Sequence, residues 1–249
     1  MIIDSYDNNT EPVISLKDFY KERKYLTEKC LIIFSKIIID YLLDHFECQK
    51  IGTIESVSGS RPVYKSTFEG QEFAFYLSMM GSALASTDCV EVNWITGAHK
   101  FIMFGSCGSL DKEKTFGKYI IPTEAYRGEG TSYYYAAPSD YLEIKNHDKV
   151  EKFFIKENAP YTKGKVWTTD VIIRETRGLV AKRKAGGCIA VEMELAGVQA
   201  ACSFYGLELY NFLEAGDVLN ESSYEVKGLH SANHDLGKLY LALKFLKEI

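Results

Sequence analysis

The chain has 249 residues, of which 34 are acidic and 29 basic, and its net charge at pH 7 is −5. These charges are scattered, with no basic stripe, which excludes nucleic acid as a main partner. With 46 % hydrophobic residues the chain is long and apolar enough to bury a sizeable core. Because no linker, repeat or low-complexity tract divides it, we predict one domain over residues 1–249.

The N-terminal part of the sequence gives no sign of a membrane location. The opening MIIDSYDNNTEP lacks the basic and apolar regions of a signal peptide. The most apolar run, CLIIFSKIIIDYLL from Cys30 to Leu43, is interrupted by Lys36 and Asp40, so it is too short and too charged to cross a bilayer. It predicts a buried amphipathic helix, within an N-terminal helical segment of residues 1–57. The expected location is the cytoplasm, with no membrane partner.

Further along the chain, apolar strands alternate with helices. Strands are predicted at FAFYL, at Phe101 to Phe104, at Lys118 to Pro122, at Lys163 to Asp170, in GCIAVEM and at Leu207 to Leu213. Helices are predicted at SALASTDCVEVNWITGA, at ETRGLVAKRKAG and over the closing HSANHDLGKLYLALKFLKEI. This alternation indicates an α/β fold with three layers, α/β/α, around a central mixed and mostly parallel sheet.

The six cysteines form no CxxC pair, and neither they nor the five histidines have the spacing of a metal site. We therefore expect free thiols in a reducing compartment and no bound metal. His230 and His234, in the closing helix, are expected on the surface or in packing contacts.

Polar side chains follow several of the predicted strands, in the segments MMGS, FGSCGS, VWTTD, VEME and LEAGD. In open α/β sheets the ligand crevice lies at the carboxyl ends of the strands, so these segments are expected to form one site. Gly105 and Gly108 of GSCG allow the backbone to approach an anion closely, although an ordinary turn is the alternative interpretation. In RGEGTSYYY, Arg127 and Glu129 are expected to form a charge pair within an ordered loop.

The segment VEME places Glu192 and Glu194 on either side of Met193, at the change from a strand to a helix. One carboxylate there would only cap free N–H groups. Two of them, with a soft apolar side chain between, suit a vicinal diol and the face of a sugar. Asp217 of LEAGD follows Gly216 and is a candidate general acid, with a turn or cap aspartate as the alternative.

Taken together, GSCG, RGEGTS, KGKVWTTD followed by RET, VEME and GD resemble the family 1 nucleoside phosphorylases and related nucleosidases, in that family's order and spacing. The resemblance extends from about Ser58 to the closing helix and implies a phosphorylase/hydrolase-like fold. It also implies a role for each matched residue. The implied ribose ligands are Glu194, Met193 and, less directly, Glu192; the phosphate ligands are Ser106 and Gly81; and Cys107 and Gly108 form the wall of the base pocket.

Asp217 matches the residue that donates a proton to N7 in the family's purine-cleaving members, which implies a purine nucleoside as substrate. Three departures accompany this match. Gly216 replaces the family's usual serine, Met103 replaces an arginine of the phosphate site, and no Gly-Asp-Pro-x-Arg loop precedes residue 60. Arg61 lies near the place where relatives lend an arginine to a neighbouring subunit, and is the expected partial replacement.

The resemblance therefore implies phosphorolysis of a purine nucleoside to free base and ribose 1-phosphate, as in nucleotide salvage, with phosphate as co-substrate and no other cofactor. The missing guanidinium groups leave water as the alternative nucleophile. A nucleoside- or base-binding protein without turnover is the second alternative. A homo-oligomer, either a dimer or a hexamer, is implied by the family.

Overall fold

The computed structural model describes all 249 residues, which form eleven strands and nine α-helices. The strands are β1 Lys29–Ile33, β2 Gln49–Ile54, β3 Arg61–Phe68, β4 Gln71–Leu77, β5 Lys100–Ser109, β6 Tyr119–Gly128, β7 Tyr141–Glu143, β8 Tyr161–Thr169, β9 Cys188–Glu192, β10 Glu208–Leu219 and β11 Tyr224–Glu225. The helices are α1 Leu16–Phe19, α2 Lys36–His45, α3 Ser82–Thr96, α4 Lys112–Thr115, α5 His147–Lys156, α6 Arg177–Ala185, α7 Leu195–Phe204, α8 Leu229–Asn233 and α9 Leu236–Phe245. Short 3₁₀ turns occur at Ile2–Asp4, Thr131–Tyr134 and Ile172–Arg174.

All strands belong to one mixed sheet, in the order β11-β10-β6-β8-β9-β5-β1-β4-β3-β2, with β7 beside β6. Strand β10 also pairs with β5. The strands β5, β9, β8, β6 and β10 therefore pair in a closed circuit, from which β1 to β4 extend as an open sheet. The pairings of β1 with β4 and β5, of β5 with β10, and of β8 with β6 and β9 are parallel.

Helices cover the sheet on both faces, which confirms the predicted three-layer arrangement. One core cluster packs α3 and α7 against one face, and a second packs α2, α5 and α9 against the other. Close contact between α3 and α7 depends on Gly197, because a Cβ there would lie 2.8 Å from Cβ of Ser82. None of the helices has both the length and the apolar character needed to cross a membrane.

The prediction of one helix from Cys30 to Leu43 was wrong. The first part of this run is strand β1, whose residues Cys30 to Ile33 are fully buried between β4 and β5. Ser35 then caps α2 by accepting a hydrogen bond from the N–H of Ile38. Residues 1–57 are therefore not a helical segment, since they supply two strands as well as α2.

Three strands, β5, β6 and β10, are longer than predicted, and β6 continues past Pro122 to Gly128. Strand β5 continues past Phe104 through GSCG to Ser109, and β10 continues through Asp217 to Leu219. The GSCG segment is therefore part of the sheet and not a turn. Strands β5 and β10 pair in parallel along this stretch, with Glu214 beside Ser106, and the pairing is shifted by a bulge between Ala215 and Asp217.

The closing helix is divided into α8 and α9. Asp235 separates them and caps α9, because its carboxylate accepts hydrogen bonds from the N–H groups of Gly237 and Lys238. The expected pair of Arg127 and Glu129 is also absent. Both side chains instead bind Ser132, whose Oγ accepts from Nε of Arg127 at 2.8 Å and whose N–H donates to Glu129 at 2.9 Å.

Candidate active site

A cavity of about 280 Å³ lies at the carboxyl ends of β1, β5, β9 and β10. It is lined by seven of the residues predicted from the sequence: Ser106, Cys107, Gly108, Glu192, Met193, Glu194 and Asp217. Gly81 and Arg61 are not among the residues that line it. The expectation that these polar segments form one site thus holds for GSCG, VEME and LEAGD, each of which contributes residues to the cavity.

Glu192 ends β9 and is almost fully buried, with 5 % of its surface exposed. Its Oε2 accepts the N–H groups of Glu194 and Leu195, each at 2.7 Å, and its Oε1 accepts the hydroxyl of Thr168. Burial and the neighbouring Glu194 raise the pKa of Glu192, and these three donors oppose the shift. Oε2 of Glu192 thus holds the start of α7 and Oε1 holds the end of β8, and the second contact of this cavity-lining residue to the pentose stays a prediction.

Glu194 is the residue immediately before α7, and its side chain reaches the start of α3. Its Oε1 accepts the N–H of Gly81 at 2.7 Å. Burial raises the pKa of Glu194 to about 7, against the opposing effect of this hydrogen bond. Met193, beside it, is half-buried on the cavity wall, and its carbonyl accepts the hydroxyl of Ser82 at 3.0 Å.

The N–H of Gly81 is therefore used within the protein. The sequence resemblance assigns Gly81 to a phosphate site, but here the glycine donates to Glu194 and lies outside the cavity lining. The contact orients the carboxylate of Glu194, which lines the cavity.

Asp217 lies in β10 directly after the bulge, with 5 % of its surface exposed. Burial raises the pKa of Asp217, and the hydroxyl of Tyr224 opposes the shift. The preceding Gly216 is required by packing, because a Cβ there would lie 2.9 Å from Cβ of Ala232 and 3.0 Å from Cα of Leu229. The tight approach of α8 to the bulge thus explains why the serine usual in the family is missing.

One side of the cavity is formed by the ends of β1 and β5 together with the α8–α9 region. The Oγ of Ser106 donates a hydrogen bond to Oδ1 of Asn233. Nδ1 of His234 lies 2.8 Å from Oγ of Ser35. Burial and the positive charges of His230 and Lys238 hold the pKa of His234 below its usual range. His234 was expected on the surface or in packing, but it lines the cavity.

Lys238 is the only lysine or arginine that lines the cavity, and 1 % of its surface is exposed. Its Nζ donates to the carbonyl of Ala232 and lies 3.3 Å from a carboxylate oxygen of Glu214. Burial lowers the pKa of Lys238, and Glu214 opposes the shift. No motif marked Asn233 or Lys238 in the sequence; the only signal was the group of polar residues in HSANHDLGK.

No guanidinium group reaches this side of the cavity, either from position 103, which is a methionine, or from Arg61. Met103 lines the cavity with 2 % of its surface exposed, and its thioether carries no charge. The guanidinium of Arg61 binds both carboxylate oxygens of Asp88, with Nη2 2.5 Å from Oδ1, and donates to the carbonyl of Leu77 at 3.2 Å. Arg61 thus makes an ion pair and does not line the cavity of its own chain, and its expected role in the site of a neighbouring subunit stays a prediction.

Glu175, just after the 3₁₀ turn Ile172–Arg174, was not among the predicted site residues and lines the cavity on the side of Asp217. Burial and the charge of Asp217 raise the pKa of Glu175 to about 7. Four carboxyl groups thus line the cavity, those of Glu175, Glu192, Glu194 and Asp217, and no arginine does. No group of three His, Cys, Asp or Glu side chains is arranged to hold a metal ion.

The family model of the phosphorylase superfamily matches residues 36–227. The chain therefore belongs to the phosphorylase superfamily. The match begins earlier than the resemblance carried by the motifs and includes α2 and β2.

Two DeoD-type purine nucleoside phosphorylases are among its relatives. That of Colwellia psychrerythraea is 26 % identical over 190 residues, which are 74 % of this chain and 77 % of the relative. That of Bacillus cereus is 24 % identical over 157 residues, which are 62 % of this chain and 67 % of the relative. A solved structure, the 5′-methylthioadenosine/S-adenosyl homocysteine nucleosidase of Campylobacter jejuni, is similar with a TM-score of 0.69 at 15 % identity, covering 89 % of this chain and 98 % of that one. This last similarity shows a shared fold.

Proposed function

We propose that the protein cleaves the N-glycosidic bond of a purine nucleoside and that water is the nucleophile. Cleavage of a purine nucleoside is supported by membership of the phosphorylase superfamily and by the names of the relatives. The observation that carries the proposal is the presence of Glu194 and Asp217 in one cavity, with the pKa of each carboxyl group raised by burial.

Asp217 serves as the acid for the departing base. A carboxyl group must hold its proton to donate it, and burial with a raised pKa favours the protonated form. Protonation at N7 lets the purine leave as a neutral molecule. The neighbouring Cys107 and Gly108 also line this cavity and would contact the base.

Glu194 holds the ribose hydroxyl groups. One carboxylate oxygen is fixed by Gly81, which orients the other towards donors supplied by the substrate. Met193 is half-buried beside it and offers an apolar surface to the sugar. Because a carboxylate only accepts hydrogen bonds, a vicinal diol supplies the donors that this end of the cavity lacks.

The choice of water follows from the charges around the cavity. On sequence resemblance phosphate is the expected nucleophile. A doubly charged anion would, however, enter a space with no arginine, where the one lysine, Lys238, is already paired with Glu214. Water carries no charge and needs no such cation.

His234 accepts the proton that water loses. Its lowered pKa keeps the imidazole neutral at pH 7, and it lines the cavity beside Ser106 and Asn233. When Nδ1 donates to Ser35, the other ring nitrogen, Nε2, is the acceptor. In the reaction the water oxygen bonds to C1′, the C1′–N9 bond breaks with its electron pair going to the base, Asp217 gives a proton to N7, and His234 takes a proton from the water.

Phosphorolysis is the second candidate. It is favoured by the named activity of the relatives and by the presence of Lys238 and Ser106 on the same side of the cavity. In that reaction phosphate would displace Glu214 from Lys238 and attack C1′ in place of water.

The proposal is tested by incubating the protein with purine and pyrimidine nucleosides and measuring the free base by chromatography. We expect adenine or hypoxanthine to be released and uracil and cytosine not to be. Binding of nucleosides without release of any base would contradict the proposal and indicate a nucleoside-binding protein.

A further inference from the structure

A second cavity, of about 480 Å³, adjoins the first on the side of Asp217. The two cavities share four lining residues: Ile172, Glu175, Asp217 and Leu219. The second cavity is completed by Ile173, Arg177, Val180, Asn220, Ser222, Ser223 and Tyr224. The two cavities are therefore adjacent at Asp217 and Glu175, and a substituent of a molecule that touches Asp217 in the first would point towards the second.

The structure of a purine base determines which of its substituents would extend into the second cavity. N7 and the substituent at C6 lie on the same edge of the base, so a group on the 6-nitrogen comes out beside the residue that protonates N7. Position 2 lies at the opposite end of the six-membered ring.

Building on the proposed function, we propose that the second cavity receives a substituent on the 6-amino nitrogen of the purine, and that Glu175 accepts the remaining hydrogen of that nitrogen. The substrate class is then an adenosine that carries an alkyl or aryl group on N6.

The lining of the second cavity suits such a group. Ile172 and Ile173 expose 53 % and 88 % of their surfaces at its edge, so an apolar substituent would remove apolar area from water. Asn220, Ser222, Ser223 and Tyr224 add hydrogen-bonding groups. This combination of apolar and polar lining residues favours a substituent that is apolar near the base, and it allows a hydroxyl group at the far end.

Glu175 lies where the two cavities meet, and it is the acceptor that an N6–H requires. The carboxyl group of Asp217 beside it is committed to N7 in the proposed reaction. In its ionised form Glu175 would also disfavour a 6-oxo purine, because a carbonyl oxygen at C6 has no hydrogen to donate and faces a second acceptor.

The test compares the kcat/KM of adenosine, N6-benzyladenosine and 2-benzylaminoadenosine. We expect N6-benzyladenosine to be cleaved at least as efficiently as adenosine, and the 2-substituted isomer to be worse by about tenfold or more. Cleavage of N6-benzyladenosine that is about tenfold or more below that of adenosine would overturn the inference.

A variant pair locates the effect in the cavity. Ser222 lines only the second cavity, so Ser222→Trp should lower kcat/KM for N6-benzyladenosine by about tenfold and leave adenosine within about twofold. Ser58→Trp adds the same side chain at an exposed residue that lines neither cavity, and should change neither substrate. An equal loss for both substrates in Ser222→Trp would contradict the inference.

The role of Glu175 is tested by the ratio of kcat/KM for adenosine to kcat/KM for inosine. Glu175→Met, of similar size but without an acceptor, should lower that ratio by about tenfold, and Glu175→Gln should restore part of it through its amide oxygen. An unchanged ratio in Glu175→Met would exclude this role.

The two proposals fail in different ways. If no nucleoside is cleaved, the proposed function fails, and calorimetric binding of adenosine against N6-benzyladenosine still tests the cavity. If adenosine is cleaved and the N6-substituted compound neither binds nor reacts, only the inference about the second cavity fails.

Discussion

The N–H of Gly81 donates a hydrogen bond to Oε1 of Glu194 at 2.7 Å, which joins the start of α3 to the residue before α7. The sequence assigned these two residues to different substrate groups, an anion and a sugar. Their contact means that the glycine orients the carboxylate, and that one oxygen of Glu194 is left for the substrate.

Replacement of Glu194 should therefore affect only substrates that have ribose hydroxyl groups. We expect Glu194→Ala to lower kcat/KM for adenosine by about 10- to 100-fold, because hydrogen bonds to a charged acceptor are lost. 2′,3′-Dideoxyadenosine, which lacks both donors, should be cleaved by the variant about as well as by the unaltered protein. Steady-state kinetics with both substrates measure the difference, and an equal loss on both would refute the assignment.

The effect on kcat of removing the carboxyl group of Asp217 should depend on the leaving group. Asp217→Asn should lower kcat for adenosine by about 10²- to 10⁴-fold, because an amide cannot supply the proton at N7. A 7-methylpurine nucleoside already carries a positive charge on its base and leaves without protonation, so the variant should retain most of its activity on it. Equal losses on the two nucleosides would show that Asp217 does not act as the acid.

His234 and His230 offer a matched pair of substitutions, since their rings lie 4.8 Å apart and only His234 lines the cavity. His234→Ala should lower kcat for hydrolysis by about 10²-fold or more, because the water loses its proton acceptor. His230→Ala should stay within about twofold. If both variants kept full activity at every pH tested, His234 would not be the proton acceptor for the water.

The stability of the unliganded protein should fall as pH rises from about 5 to about 7. Burial raises the pKa of Glu194 from 4.5 to about 7, so between these values the folded state holds a proton that the unfolded chain has released. The contribution of this carboxyl group to the free energy of unfolding is therefore complete at low pH and is lost as the pH rises past the pKa of Glu194 in the folded state. We expect a decrease of about 1 kcal/mol from Glu194, measured by urea unfolding at pH 5.5 and 7.5.

The Glu194→Gln variant serves as the control for that measurement. Its amide does not titrate, so the decrease should become smaller by the contribution of this one carboxyl group. A pH dependence identical to that of the unaltered protein would place the effect elsewhere.

The sequence predicted the layers of the fold and the acidic half of the site. The sequence marked Glu194 after the buried run of β9 and Asp217 in the buried run of β10. The two strands run in opposite directions, since β9 is antiparallel and β10 parallel to β5, and the closed circuit of strands that brings both carboxyl groups to one cavity is not visible in local patterns. Gly216 was noted as a departure, but its cause, the close approach of Ala232 and Leu229 of the α8 region, is a tertiary contact that no local pattern reveals.

The errors have equally specific causes. Residues Cys30 to Ile33 form a short, continuous apolar run, which periodicity cannot assign to a strand or a helix when it continues into a true helix. Lys238 and His234 reach the cavity from a helix pair distant in sequence from the motifs. The ion pair between Arg61 and Asp88 spans 27 residues and was not foreseen from the sequence, and the expected role of Arg61 in a neighbouring subunit stays a prediction.

Hydrolysis and phosphorolysis are distinguished by the sugar product formed from adenosine in phosphate-free buffer and in buffer with added phosphate. We expect hydrolysis, with adenine and free ribose in equal amounts and at the same rate in both buffers. Release of adenine only when phosphate is present, with ribose 1-phosphate as the sugar product, would contradict it and give Lys238 the role of the phosphate-binding cation.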